Sequence, residues 1–211
     1  MSKFNNLHIV SHPLIKDKLA SIRNKNTPSP KFKALIDEVA MLMVYEITND
    51  IPVSPVDIET PLAIAKCEVC NHQMLLVPIL RAGIGMVEGI LRLIPTSKVG
   101  HIGIFRDEQT LKPTVYYFKI PKDAKDMDVI LIDPMLATGG SVTAAIDKLQ
   151  ESGCSNIKFL CLVAAPEGVQ RLNDAHPEIP IYTAVLDEKL NEDGYIMPGL
   201  GDAGDRLFGT I

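Results

Sequence analysis

The sequence predicts an α/β protein with a mainly parallel sheet flanked by helices on both faces. Three observations carry this. Apolar runs of strand length recur along the chain at Met74 to Ile79, Val99 to Phe105, Val129 to Ile132, Ile157 to Ala164 and Ile181 to Val185. Segments with helical spacing separate most of them, as parallel strands need a crossover of a dozen residues or more. The runs are apolar throughout rather than alternating, which suits strands covered on both sides.

The elements follow in order. Residues 13–23 and 31–48 read as helices, the second with a broad apolar face of Leu35, Ile36, Val39, Leu42, Met43 and Ile47 that offers a surface for a dimer. Thr27-Pro28-Ser29-Pro30 separates them. Residues 51–66 are proline-spaced and β-like, an outer flap or edge. Met74 to Ile79 is a strand, Ile84 to Leu93 a helix stopped before Pro95, and Val99 to Phe105 and Thr114 to Ile120 are strands. Val129 to Ile132 is a strand feeding a helix that Gly153 ends. Ile157 to Ala164, a short helix from Glu167 to Ala175 after Pro166, and a last strand from Ile181 to Val185 complete the core. The glycine-rich tail from Gly194 to Thr210 reads as neither a regular helix nor a flexible linker; its interleaved Tyr195, Ile196, Leu200, Leu207 and Phe208 suggest that it is packed down.

Length and charge bound the function. A chain of 211 residues makes one large domain with a sizeable core. Its net charge of −5 supplies no global basic field for nucleic acid. No stretch approaches the ~18 uninterrupted apolar residues of a membrane span, and the amino-terminal residues lack the apolar core of a signal peptide. A cytoplasmic location is expected, with Cys67, Cys70, Cys154 and Cys161 as reduced thiols. Cys67, Cys70 and His72 resemble half of a zinc site, but a second pair of ligands at suitable spacing is missing.

The chemistry concentrates in residues 129–149, VILIDPMLATGGSVTAAIDKL. Four aliphatics run into Asp133; five residues on come Thr138-Gly139-Gly140-Ser141, then a helix with apolar positions at Val142, Ala145, Ile146 and Leu149. Glycines let the backbone wrap closely, and the helix start adds unpaired N–H groups and a positive dipole end. Such a turn suits a dianionic phosphate. Asp133 lies beside that anion, where it suits a hydroxyl or a hydrated cation. No lysine precedes Ser141, so this is not a polyphosphate P-loop. A dinucleotide fingerprint at a strand–helix turn is also absent. In open parallel sheets ligands sit beyond the carboxyl ends of the strands. That rule brings Arg81, Arg106 with the polar excursion 106–113, Asp133 and the segment Ala165–Gly168 to one rim. The tail loop could offer N–H, C=O and N–H groups to an acceptor–donor–acceptor edge such as uracil's, while cytosine would leave buried groups unpaired; this allows a pyrimidine site but does not by itself name the base.

VPILRAGIGM, FRDEQTLKP, LIDPMLATGGS, LVAAPEG and GYIMPGLGDAGDRLFGT together resemble the uracil phosphoribosyltransferase family, and the likeness runs through nearly the whole chain. It implies a type I phosphoribosyltransferase fold, with a core of about 70–187, a small hood from about 188–211 plus amino-terminal elements, and a β-arm. It implies the reaction of uracil with 5-phosphoribosyl-1-pyrophosphate (PRPP) to give UMP and pyrophosphate in pyrimidine salvage. Arg81, Arg106, Asp133, Pro134, Met135, Leu136, Ala137, Thr138, Gly139, Gly140, Ser141 and Asp202 are then the PRPP contacts, and Ile196, Gly201, Asp202 and Ala203 hold uracil. Asp133, Arg106 and Asp202 are the expected catalytic residues. The resemblance also implies a cis peptide at Leu80–Arg81. Because Asp133 is followed by Pro134 rather than a second acid, Mg²⁺ is expected to enter on PRPP and water, without a direct protein ligand. GTP as an activator and a homo-oligomer, dimer or larger, are implied as well. No nucleic acid or membrane partner is expected. The rival readings are an RNA-binding regulator on the same fold, an enzyme of the fold with another base, and a non-catalytic nucleotide sensor. Residues 59–73 fit the likeness least and receive no role.

Overall fold

The computed structural model describes residues 4–106 and 113–210. In chain order the elements are β1 (Leu7–Ile9), α1 (Pro13–Arg23), α2 (Ser29–Ile47), β2 (Val53–Glu59), β3 (Ile64–Cys70), β4 (Met74–Leu80), a 3₁₀ turn (Ala82–Met86), α3 (Val87–Leu93), β5 (Lys98–Val99), β6 (His101–Arg106), β7 (Pro113–Lys119), β8 (Asp128–Ile132), β9 (Met135–Leu136), α4 (Gly140–Glu151), β10 (Ile157–Ala164), α5 (Pro166–Ala175), β11 (Ile181–Leu186), β12 (Lys189–Leu190), β13 (Ile196–Met197) and α6 (Ala203–Phe208).

The main sheet runs β1-β11-β10-β8-β4-β6-β7, with short β5 on β4 and β9 on β10. All pairs in it are parallel except β6 with β7, an antiparallel edge. After β4 the chain moves toward the β6 edge; after β8 it moves the other way, to β10 and β11. The strand order therefore reverses between β4 and β8, and this switch point opens a crevice beyond their carboxyl ends.

The strand pleat explains how one sheet serves two cores. Leu76, Ile130, Leu160 and Leu162 face the layer of α1, α2 and α3. Their neighbours Leu75, Val77, Val129, Leu131, Phe159 and Cys161 face the layer of α4 and α5. Within the first layer Phe32, Ile36, Val39 and Met43 are fully buried. Most of the apolar face of α2 is thus used inside the chain; of the face expected to support a dimer, Leu35 and Leu42 are half-buried, and Tyr45 is the large apolar side chain this helix leaves exposed.

Other boundaries shift for local reasons. Pro30 lies in the first turn of α2 rather than preceding it, because proline's missing N–H is harmless there. The helix expected at Ile84 to Leu93 begins as a 3₁₀ turn containing Gly83 and Gly85. Residues 53–70 form a two-stranded hairpin pairing only with itself, so 64–70 is a strand. Cys67 and Cys70 are exposed on it, and His72 lies 2.7 Å from Asp128 Oδ2. No cluster of three or more metal-ligating side chains occurs among the described residues. No helix there is long and apolar enough to cross a membrane. The tail corrects a further expectation: residues 203–208 are a short helix, capped by Asp202, whose carboxylate accepts the Asp205 N–H at 2.8 Å.

Candidate active site

β8 ends at Ile132, and Asp133 begins a turn that lies along the end of β10. The Pro134 carbonyl accepts the Leu162 N–H, and the Leu136 carbonyl accepts the Ala165 N–H. These bonds carry the chain to Gly139, at φ 77°, which turns it into α4. A left-handed residue there favours glycine. No side chain caps α4, so the N–H groups of its first turn are presented without an intrahelical partner. From below, α5 supports the loop. A β-carbon on Gly168 would stand 2.3 Å from the Ala137 carbonyl oxygen, so only glycine permits that approach. Glu167 reaches the other way, accepting the Leu190 N–H at 3.0 Å and tying α5 to β12.

A cavity of about 240 Å³ sits over this turn. Ala82, Asp133, residues 135–142 and Asp202, Ala203 and Gly204 line it. The strand end of β8, the amide cradle of α4 and the start of the tail helix therefore face one space, although Asp133 and Asp202 are 69 positions apart in the sequence. The Asp133 carboxyl is pushed up to about 7, mainly by desolvation; the Met135 N–H at 3.3 Å opposes the shift, and the charge of Asp202 adds to it. A second cavity of about 350 Å³ adjoins it at Asp202 and is lined by Arg23, Lys25, residues 198–202, Asp205 and Arg206. A further cavity of about 610 Å³ lies beside the end of β1, among Ile9, Ile15, Leu42, Tyr45 and Leu93. The amides at the start of α4 do not line it.

Of the residues expected to meet PRPP, Asp133, Met135, Leu136, Ala137, Thr138, Gly139, Gly140, Ser141 and Asp202 converge on the cavity. Pro134 is buried and serves through its carbonyl. Arg81 follows the cis Leu80–Arg81 peptide and stands at the mouth, exposed, with Nη2 3.3 Å from Asp205 Oδ1. Arg106 ends β6; its side chain and residues 107–112 lie outside the described residues. Ala203 lines the cavity, Gly201 lines its neighbour, and Ile196 is buried beneath the loop.

Sequence reading missed Ala82, Val142 and Gly204 as lining groups. It also missed the side chains that hold the tail in place: Arg23, Asp187 and Arg206. An acid just past the last core strand was the available signal for Asp187.

The reversed strand order and the phosphate turn at its crevice define a phosphoribosyltransferase fold. A solved hypoxanthine-guanine phosphoribosyltransferase from Bacillus anthracis shares it, with a TM-score of 0.53 and 14% identity over 75% of this chain and 80% of that one. The chain belongs to the uracil phosphoribosyltransferase family, whose model matches residues 9–210. It is 59% identical to the uracil phosphoribosyltransferase of Geobacillus kaustophilus, over 97% of this chain and 98% of that protein. It is 56% identical to that of Streptococcus salivarius over the full length of both. A solved protein of Aquifex aeolicus superposes with a TM-score of 0.91 at 38% identity, over 96% of this chain and 97% of that one.

Proposed function

We propose that this chain is a pentosyltransferase that moves the 5-phosphoribosyl group of PRPP to N1 of uracil, giving UMP and pyrophosphate in pyrimidine salvage. One observation carries the reading: the Asp133 carboxylate, the α4 amide cradle and the Asp202–Gly204 segment share a single cavity.

The 5′-phosphate binds residues 137–141, and this remote binding energy is used to orient the ribose. The C1′–O bond breaks, its electron pair leaving with pyrophosphate, and positive charge develops on the ribose. Asp133, beside the sugar hydroxyls, stabilises that charge, while Arg81 and Arg106 stabilise the leaving group. Uracil N1 bonds to C1′ and sheds its proton, which we assign to the Asp202 carboxylate on the same cavity. The base lies against Ile196, Gly201, Asp202 and Ala203. One feature supports that placement. Among the described residues the N–H groups of Gly201 and Ala203 have no hydrogen-bond acceptor, and a base edge would supply two.

Asp133 and Asp202 form a donor pair fit for Mg²⁺ held through water on the substrate rather than for a resident metal, consistent with magnesium's preference for water and phosphate oxygens. Bound there with PRPP, the ion would neutralise the departing pyrophosphate. A cytoplasmic enzyme working as a homo-oligomer and responding to GTP completes the proposal. Exposed Ile9, Leu14, Tyr45 and Leu93 support association; the GTP response rests on family likeness.

The test is pyrophosphate release with PRPP, Mg²⁺ and each nucleobase in turn. Release with uracil, and little with cytosine, hypoxanthine or adenine, is expected. Silence with uracil, or equal release with every base, overturns the proposal.

A further inference from the structure

The loop between β13 and α6 contains no regular structure, yet side chains from the end of α1, from beyond β11 and from α6 take up its main-chain groups. The Gly199 N–H donates to Asp187 Oδ2 at 3.0 Å, and the Gly199 carbonyl accepts from Arg23 Nη1 at 2.8 Å. Arg23 and Asp187 also bind each other side by side, Nη1 to Oδ2 at 2.9 Å and Nη2 to Oδ1 at 2.6 Å. One residue on, the Leu200 carbonyl accepts from Arg206 Nη1 at 2.7 Å. The same guanidinium donates to the carbonyls of Ile22 and Asn24 at 2.6 and 2.8 Å, and it stacks 4.1 Å over the ring of Phe32. Both arginines therefore join the carboxyl end of α1 to the loop that precedes Gly201.

Stability alone is a poor reason for this arrangement. The Asp187 side chain is 4% exposed and Arg206 is 9% exposed. Burying such charges is expensive, and apolar residues of similar volume often stabilise a fold as well or better. What the charges uniquely provide is direction, because a guanidinium fork fixes several acceptors at set angles. Here those acceptors are the main-chain groups of residues 199 and 200, immediately before the unpaired N–H groups of Gly201 and Ala203.

We propose that Arg23, Asp187 and Arg206 are positioning residues of the nucleobase subsite: they hold residues 199–200 rigidly so that the amides beyond them meet the base at hydrogen-bonding angles. This rests on the uracil reading above. The phosphate cradle is built from β8, α4 and α5 and shares none of these bonds, and Asp202, which also faces PRPP, is fixed separately by the Asp205 N–H, so the clamp should act on the base far more than on PRPP.

The experiment measures separate KM values for uracil and PRPP in Arg23→Ala, Arg23→Lys and Asp187→Asn. Arg23→Ala should raise the uracil KM about tenfold or more, with the PRPP KM within about twofold, because misaligned donors lose the base but not the phosphate. Arg23→Lys restores one donor and should recover part of the loss. Asp187→Asn keeps size and shape and should give the same split should the alanine variant fail to fold. Arg206→Met, which keeps packing on Phe32 without the donors, should behave likewise. Equal rises in both KM values, or an unmoved uracil KM in folded variants, would overturn the clamp. The wild-type protein separates the two ideas: absence of uracil turnover there defeats the functional reading, whereas normal turnover with unsplit variants defeats the clamp only.

Discussion

Gly168 and Ala137 belong to different elements, yet a β-carbon on the first would stand 2.3 Å from the carbonyl oxygen of the second. The first turn of α5 is thus a floor for the phosphate loop. Gly168→Ala should push the loop out of register, costing about 1–3 kcal/mol of stability and raising the PRPP KM. Denaturant unfolding and a PRPP titration check this. Wild-type values on both would show that the floor yields freely.

Gly139 sits at φ 77°, and a β-carbon there would also meet the Gly168 carbonyl oxygen at 2.9 Å. A side chain in left-handed backbone costs roughly 1–2 kcal/mol before any clash. Gly139→Ala should therefore weaken PRPP binding about tenfold or more and leave the uracil KM nearly unchanged. Calorimetric PRPP titration is the direct measurement.

Asp133→Asn should lower kcat by about 10²–10³, the scale of losing one preorganised electrostatic group, with UMP affinity changed little. Unchanged turnover would remove Asp133 from the mechanism.

The same variant has a stability signature of definite sign. Burial raises the Asp133 carboxyl from 3.8 to about 7, so the folded state binds an extra proton between those values. The proton's stabilising contribution is complete below about pH 4 and is lost as pH rises through about 7. Asn carries no charge at any pH. Asp133→Asn should therefore gain stability relative to wild type as pH rises from 4 to 8, with the difference levelling off above 7. Denaturant midpoints across that range decide it; a difference that falls with pH contradicts the assigned burial.

Arg81 pairs with Asp205 at 3.3 Å, but their side chains are 59% and 38% exposed. Such pairs contribute about 0–1 kcal/mol, so Arg81→Ala should barely move the melting temperature. Its kcat/KM for PRPP should nevertheless fall about 10–100-fold, since the guanidinium's forked donors suit the pyrophosphate. A large stability loss with intact PRPP kinetics would make Arg81 a structural residue.

Much of this architecture was legible along the chain. Ile157–Ala164 matched its expected bounds, because a continuous apolar run buried on both faces leaves little freedom. The phosphate turn was legible too: its strand, acid, glycines and helix are contiguous, and backbone conformation there follows from local residue type. β1 was missed because three residues carry no period; it forms by pairing with β11. The tail helix was missed because six residues with a glycine among them have no helical stability alone; Asp202 caps it, and Arg206 anchors it to α1.

Contiguous residues thus settled the alternation of strands and helices and the phosphate loop, since hydrophobic period and glycine conformation act over a few positions. The meeting of Asp133 with Asp202, and of Arg23 and Asp187 with Gly199, depended on the reversal of strand order between β4 and β8 and on the packing of α1 against the tail. Hydrogen bonds and charges act across space, and no local pattern encodes which segments, more than a hundred positions apart in the case of Arg23 and Asp187, will be brought within 3 Å of one another.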